Sequence, residues 1–129
     1  MGNEDAEGAA MNMGRAALMA ARLAQRQTES ASRGIYKAAE HLYRSQEHGY
    51  RAVALFRRAG GGLPASAGVC GSLQLAHLEL RHAQEIFTQP DQAASQEAAH
   101  SVRLAAVRDG TEDWVIVLDS MQAEFHCPA

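Results

Sequence analysis

The chain has 129 residues, enough for one domain with a modest core. Its 12 basic and 15 acidic residues nearly cancel, for a formal net charge of -3, which excludes the strongly basic face of a nucleic-acid binder. Aromatic residues make up 5% and alanine is abundant, a composition suited to closely packed helices rather than a sheet.

Met1–Ala10 reads as a flexible leader. It is acidic and has no apolar core, so it is not a signal peptide, and no later run is long enough to span a membrane. The expectation is therefore a soluble cytoplasmic protein, or a soluble piece of a larger one. From Met11 to Thr28 the composition favours helix, with a weak amphipathic face. Ile35–Arg57 is stronger. It carries a seven-residue echo, Tyr36 to Leu42 and then Tyr43 to Gly49, ending on Tyr50-Arg51. On a helical wheel Ile35, Ala38, Ala39, Leu42, Gly49, Val53 and Phe56 share one face, and Lys37, Arg44 and Arg51 point away. Heptads counted from Met11 reach Val53 without a slip. That register predicts a single helix over about 11–59, roughly 70 Å long at 1.5 Å per residue. The alternative is a kink or break in Glu29–Gly34, where serines and glycine lower helix propensity.

Gly60-Gly61-Gly62-Leu63-Pro64 ends the long helix. Ser72 offers an N-cap for a helix over Leu73–Thr88 with two apolar arcs, one through Leu73, Leu80 and Phe87, the other through Leu75, Leu78 and Ile86. Pro90 stops it, and another helix runs from about Asp91 to Val107. Asp109-Gly110 marks a turn, and Thr111 caps a last helix with Trp114, Val117, Leu118, Met121 and Phe125 on one face. Val115–Leu118 would suit a strand, but a lone strand has no partner here. Cys70 and Cys127 can form one bridge, although isolated cysteines read more readily as buried or incidental thiols. The fold expected is all-α: a four- to five-helix bundle in one domain over about 11–126, its hairpin and last helix over about 66–126.

Three functional readings follow. The first is helix-mediated association, with itself or another protein and with no nucleic acid, membrane or cofactor. Its interface candidates are Leu42, Tyr43, Tyr50, Leu75, Leu78 and Ile86. The second is a di-metal carboxylate/histidine bundle holding Fe, Mn or Zn, with redox or oxygen chemistry. Glu79-Leu80-Arg81-His82 and Glu97-Ala98-Ala99-His100 each place a carboxylate and an imidazole on one helix face, and Glu47 is a further donor. In an antiparallel hairpin, Glu79 would oppose His100 and His82 would oppose Glu97. Successive Glu-x-x-His helices depart from the usual order of such bundles, and short matches arise easily in a chain rich in Glu, Ala and His. The competing view makes His82 a semi-buried helix residue, with Glu79 and Glu97 on the surface. His41 and His48, about 10 Å apart along the axis, do not share one ion. The third reading is a ligand sensor with a pocket between Tyr43, Tyr50 and the last helix. Gly60–Gly62 lacks the Lys and Ser/Thr of a P-loop, and Ser66 and Ser72 lack a nucleophile elbow, so the chain reads as non-enzymatic.

Overall fold

Five α-helices build the computed structural model, which describes residues 3–128: α1 (Asn3–Arg26), α2 (Ser30–Arg58), α3 (Ala67–Phe87), α4 (Pro90–Ala94) and α5 (His100–Glu124). The all-α bundle is as expected, but the single long helix is not. The chain leaves helical geometry after Arg26 and turns back, so α1 lies antiparallel along α2. Ser30–Gly34 is helical; the alternative break over Glu29–Gly34 is present but lies slightly earlier, at Gln27–Glu29. Two side chains hold it there, with Gln27 donating to the Leu23 carbonyl at 3.1 Å and Arg33 donating to the carbonyls of Gln27 and Thr28 at 3.4 Å each. These side chains satisfy carbonyls that continued helix would otherwise occupy.

The α1–α2 seam explains why α1 looked featureless. Ala6, Ala10, Gly14, Ala17, Ala20 and Ala24 recur at helical spacing and are buried, so its inner face is made of the smallest side chains. Such a face offers no large apolar side chain as a marker, yet lets two backbones approach closely. Ala6 and Ala10 belong to it, so the expected leader is structured from Asn3 onward; Met1 and Gly2 lie outside the described residues. Arg58 pairs with Glu7 at the open end of the hairpin.

The main core lies between α2, α3 and α5 and includes Leu42, Ala52, Val69, Leu73, Leu80, Trp114, Leu118 and Phe125. A polar junction runs through it. The Ser45 hydroxyl is fully buried, donates to the Ala76 carbonyl at 2.7 Å and accepts from Trp114 Nε1 at 2.8 Å. One hydroxyl thus joins three helices. Ser72 adds a second α3–α2 tie by donating to the His48 carbonyl at 2.8 Å. Gly49 makes room for the indole: a Cβ there would stand 2.5 Å from Trp114 Cζ2 and 3.3 Å from Leu118 Cδ2.

The C-terminal half departs from expectation at three points. Ser66, not Ser72, caps α3 by accepting from the Val69 amide at 3.3 Å. The helix expected from Asp91 stops at Ala94, because 91–97 bond to the start of α2 instead. Gln92 donates to the Ala31 carbonyl at 3.1 Å, Ser30 to Asp91 at 2.6 Å and Ser32 to Glu97 at 2.5 Å. Two carboxylates thereby sit near the first turn of α2, where its dipole favours negative charge. Asp109-Gly110 is not a turn, since α5 passes straight through it and a Cβ on Gly110 would lie only 3.2 Å from Leu42 Cδ2. Here glycine serves close packing rather than reversal.

Cys70 and Cys127 form a disulfide across 57 residues, contrary to the reading as incidental thiols. After α5, His126 adopts a left-handed conformation (φ 56°) and turns Cys127 back toward the start of α3. The Ala65 amide donates to the Phe125 carbonyl at 3.0 Å, and Phe125 stacks on Phe56 with ring centroids 4.3 Å apart.

Ser45→Ala should destabilise the fold by about 1–3 kcal/mol in urea unfolding, because it leaves the buried indole N–H without its acceptor. Gly49→Ala should cost a similar ~1–3 kcal/mol through overpacking. Gly14→Ala is the matched comparison. The nearest atoms to its Cβ belong to the end of the Glu47 side chain, which can shift while keeping Arg44 and Arg51, so it should stay within about 1 kcal/mol of the parent. Reducing Cys70–Cys127 should lower stability by roughly 2–4 kcal/mol by freeing the unfolded chain, visible as a lower midpoint with reductant.

Candidate functional site

The two Glu-x-x-His units do not meet. Glu97, on the connection before α5, accepts from Ser32 and pairs with Arg103 at 3.1 Å. The Ser32 hydroxyl, then Arg103, hold its carboxyl below the usual carboxylate range. His100 is buried, with Nε2 3.0 Å from the Gln92 carbonyl. The expected pairings Glu79–His100 and His82–Glu97 required a plain α3–α5 hairpin. The α4 segment instead docks on the start of α2 and draws Glu97 and His100 with it. Glu47 is also engaged elsewhere, with Arg44 at 3.0 Å and Arg51 at 3.3 Å.

Glu79 and His82 are joined by a residue from α2. His41 Nδ1 lies 2.7 Å from Glu79 Oε2, and the His41 and His82 rings meet edge to face with centroids 5.1 Å apart. Among the described residues these three form the group of histidine, cysteine and carboxylate side chains close enough to share an ion, their ligand atoms all within 4.8 Å of one another. All three are half-buried. Helix α3 supplies Glu79 and His82 one turn apart on one face, and α2 supplies His41 across the seam. The link that sequence reasoning missed is the α2–α3 register, which brings position 41 opposite 79 and 82. The sequence sign of it is local: on a helical wheel His41 falls on one shoulder of the Leu42 face.

His48, one heptad beyond His41, is half-buried. Burial holds its pKa below the ordinary 6.5; Arg51 and Arg44 act in the same direction, while Glu47 and Glu79 oppose it.

A second feature is a largely apolar groove of about 390 Å³ between α1, α2 and α5. Met19, Leu23, Tyr36, Tyr43 and Val107 line it, with Arg103 beside them. This is not the pocket expected between Tyr43, Tyr50 and the last helix: Tyr43 lines the groove with Tyr36, and its walls come from α1, α2 and the first turns of α5. Tyr50 packs against Trp114, ring centroids 5.4 Å apart. Of the expected interface residues, Leu42 and Ile86 are interior to the chain, whereas Leu75 and Leu78 are 49% and 42% exposed. Leu42 and Ile86 are correctly apolar but cover their own bundle: Leu42 belongs to the main core, and Ile86 packs with Ala38 and Ala83. No known family, curated protein or solved structure matches this chain.

A buried neutral His48 makes stability depend on pH. The unfolded chain binds its proton first as pH falls, so the contribution is complete above about 6.5 and is lost below that value as the folded-state pKa is approached. Chelator-treated protein should therefore melt at lower temperature as pH falls through this window, and His48→Gln should flatten the slope. An equal slope in both proteins would remove His48 as its origin.

Proposed function

We propose that the protein acts by helix-mediated association with a second copy of itself, the outer face of α1 meeting the outer face of α5. The supporting observation is that these faces are both apolar and of opposite charge. On α1, Met11, Leu18 and Met19 are 58%, 49% and 62% exposed, and the exposed Arg15, Arg22 and Arg26 lie among them at helical spacing. On α5, Ile116 is 67% exposed, with exposed Asp109, Glu112, Asp113 and Asp119 around it. Helix α1 packs along α2 and makes little contact elsewhere, so its outer side is uncovered within one chain. An apolar strip framed by complementary charge gives both affinity and register. Because unlike surfaces meet, the contact closes into a ring or symmetric pair only where the rotation permits.

A second reading, an apolar small molecule held beside Tyr36 and Tyr43, draws on the groove volume, which lies within the range of ligand sites. Both readings are of an interaction protein rather than an enzyme. No helix among the described residues is long and apolar enough to cross a membrane. The Cys70–Cys127 bridge fits an oxidising compartment better than the reducing cytosol first expected.

Sedimentation velocity should show reversible association that weakens as salt rises, since the charged rims are screened. Leu18→Glu and Arg22→Glu should each weaken it by about tenfold or more, and adding Asp113→Arg should restore part of the Arg22→Glu loss. A strict monomer at every concentration and salt would end this proposal. Ala106→Trp, which narrows the groove from α5, should leave association intact but abolish apolar-probe uptake if the second reading holds.

A further inference from the structure

We propose that His41, Glu79 and His82 form a mononuclear site for a divalent transition-metal ion, with zinc the best match to two imidazoles and one carboxylate. The donors come from two helices held in fixed register on both sides of the site. One turn after His41, Ser45 is bonded to the carbonyl of Ala76, which lies one turn before Glu79. On the other side Ala38 and Ala83, both 0% exposed, pack α2 against α3 immediately beside His41 and His82. The backbone is thereby preorganised, and only side-chain torsions need adjust to bind an ion.

The distances suit such an adjustment. Tetrahedral zinc with ligands at about 2.0–2.2 Å sets its donor atoms roughly 3.3 Å apart. The present group brackets that spacing, from the 2.7 Å His41–Glu79 contact to the 4.8 Å outer limit of the cluster. A histidine–carboxylate hydrogen bond accounts for His41 and Glu79 without an ion. It does not account for His82, which makes no hydrogen bond to the described residues yet sits edge-on to His41. Arg44, about one turn after His41 on α2, is tied to Glu47 at 3.0 Å, and the ion pair that Glu79 makes is the one with His41, leaving its carboxylate for His41 and the ion. With all three side chains half-buried, a fourth coordination position is open to water, as in three-ligand zinc sites.

The test uses the full chain, purified without a polyhistidine tag and stripped with chelator, then titrated calorimetrically with zinc near neutral pH. One zinc per chain should bind, independent of protein concentration, and cobalt(II) in its place should give the intense visible bands of a tetrahedral site. His82→Gln, which disturbs no hydrogen bond, should weaken binding at least tenfold, as should His41→Ala and Glu79→Gln. Glu97→Gln should bind like the parent, separating this site from one built on the two Glu-x-x-His units. Circular dichroism of the metal-free variants confirms that each is folded. Absence of saturable binding, half-stoichiometric binding, or undiminished binding by folded His82→Gln would overturn the assignment.

Discussion

The fold depends on a buried hydroxyl. Among the described residues the Ser45 hydroxyl is the group that hydrogen-bonds α2, α3 and the Trp114 indole of α5 together, donating in one direction and accepting in the other. A buried polar group is costly unless satisfied, and this one is satisfied by a geometry that only one relative placement of the three helices provides. Gly49 enforces the same placement sterically, because the indole occupies the space its Cβ would take. Apolar burial by Leu42, Leu73, Leu80 and Leu118 drives the helices together but is tolerant of sliding. The Ser45–Trp114–Gly49 junction is not.

From that register the other features follow. With Ser45 against Ala76, His41 falls opposite Glu79 and His82, and Ala38 faces Ala83. With α5 parallel to α2, residues 91–97 reach the start of α2, which removes Glu97 and His100 from any shared site with α3. The α1 arm is the one large element outside this core. It rests on α2 through alanines and leaves methionine, leucine and arginine outward, so surface chemistry and core architecture are assigned to different helices.

Much of the architecture was legible in the sequence, and the failures have physical reasons. The Ile35–Arg57 helix with its buried Leu42 face shows strong hydropathy contrast, Gly60–Pro64 carries the glycines and proline that stop a helix, and Trp114, Leu118 and Phe125 recur at helical spacing. The α1–α2 reversal was not legible, because small alanines form the seam while the larger Met11, Leu18 and Met19 face solvent. A continuous heptad register therefore described two antiparallel helices as well as one. Gly110 misled for the related reason that glycine serves both turns and close helix contacts. Two of the three candidate metal ligands, Glu79 and His82, were readable as a one-turn pair; His41 was not, since its proximity is set by tertiary register. The disulfide was left open because two distant cysteines carry no pairing information until the tail's reversal at His126 is seen.

The chain contains one tryptophan, so the central junction has a single reporter. Hydrogen exchange of the Trp114 indole N–H, followed by nuclear magnetic resonance, tests the account most directly. If this bond sets the register of α2, α3 and α5, the proton should exchange only through global unfolding, with an opening free energy equal to that from denaturant unfolding. Exchange by local opening, at rates near those of an exposed indole, would contradict it.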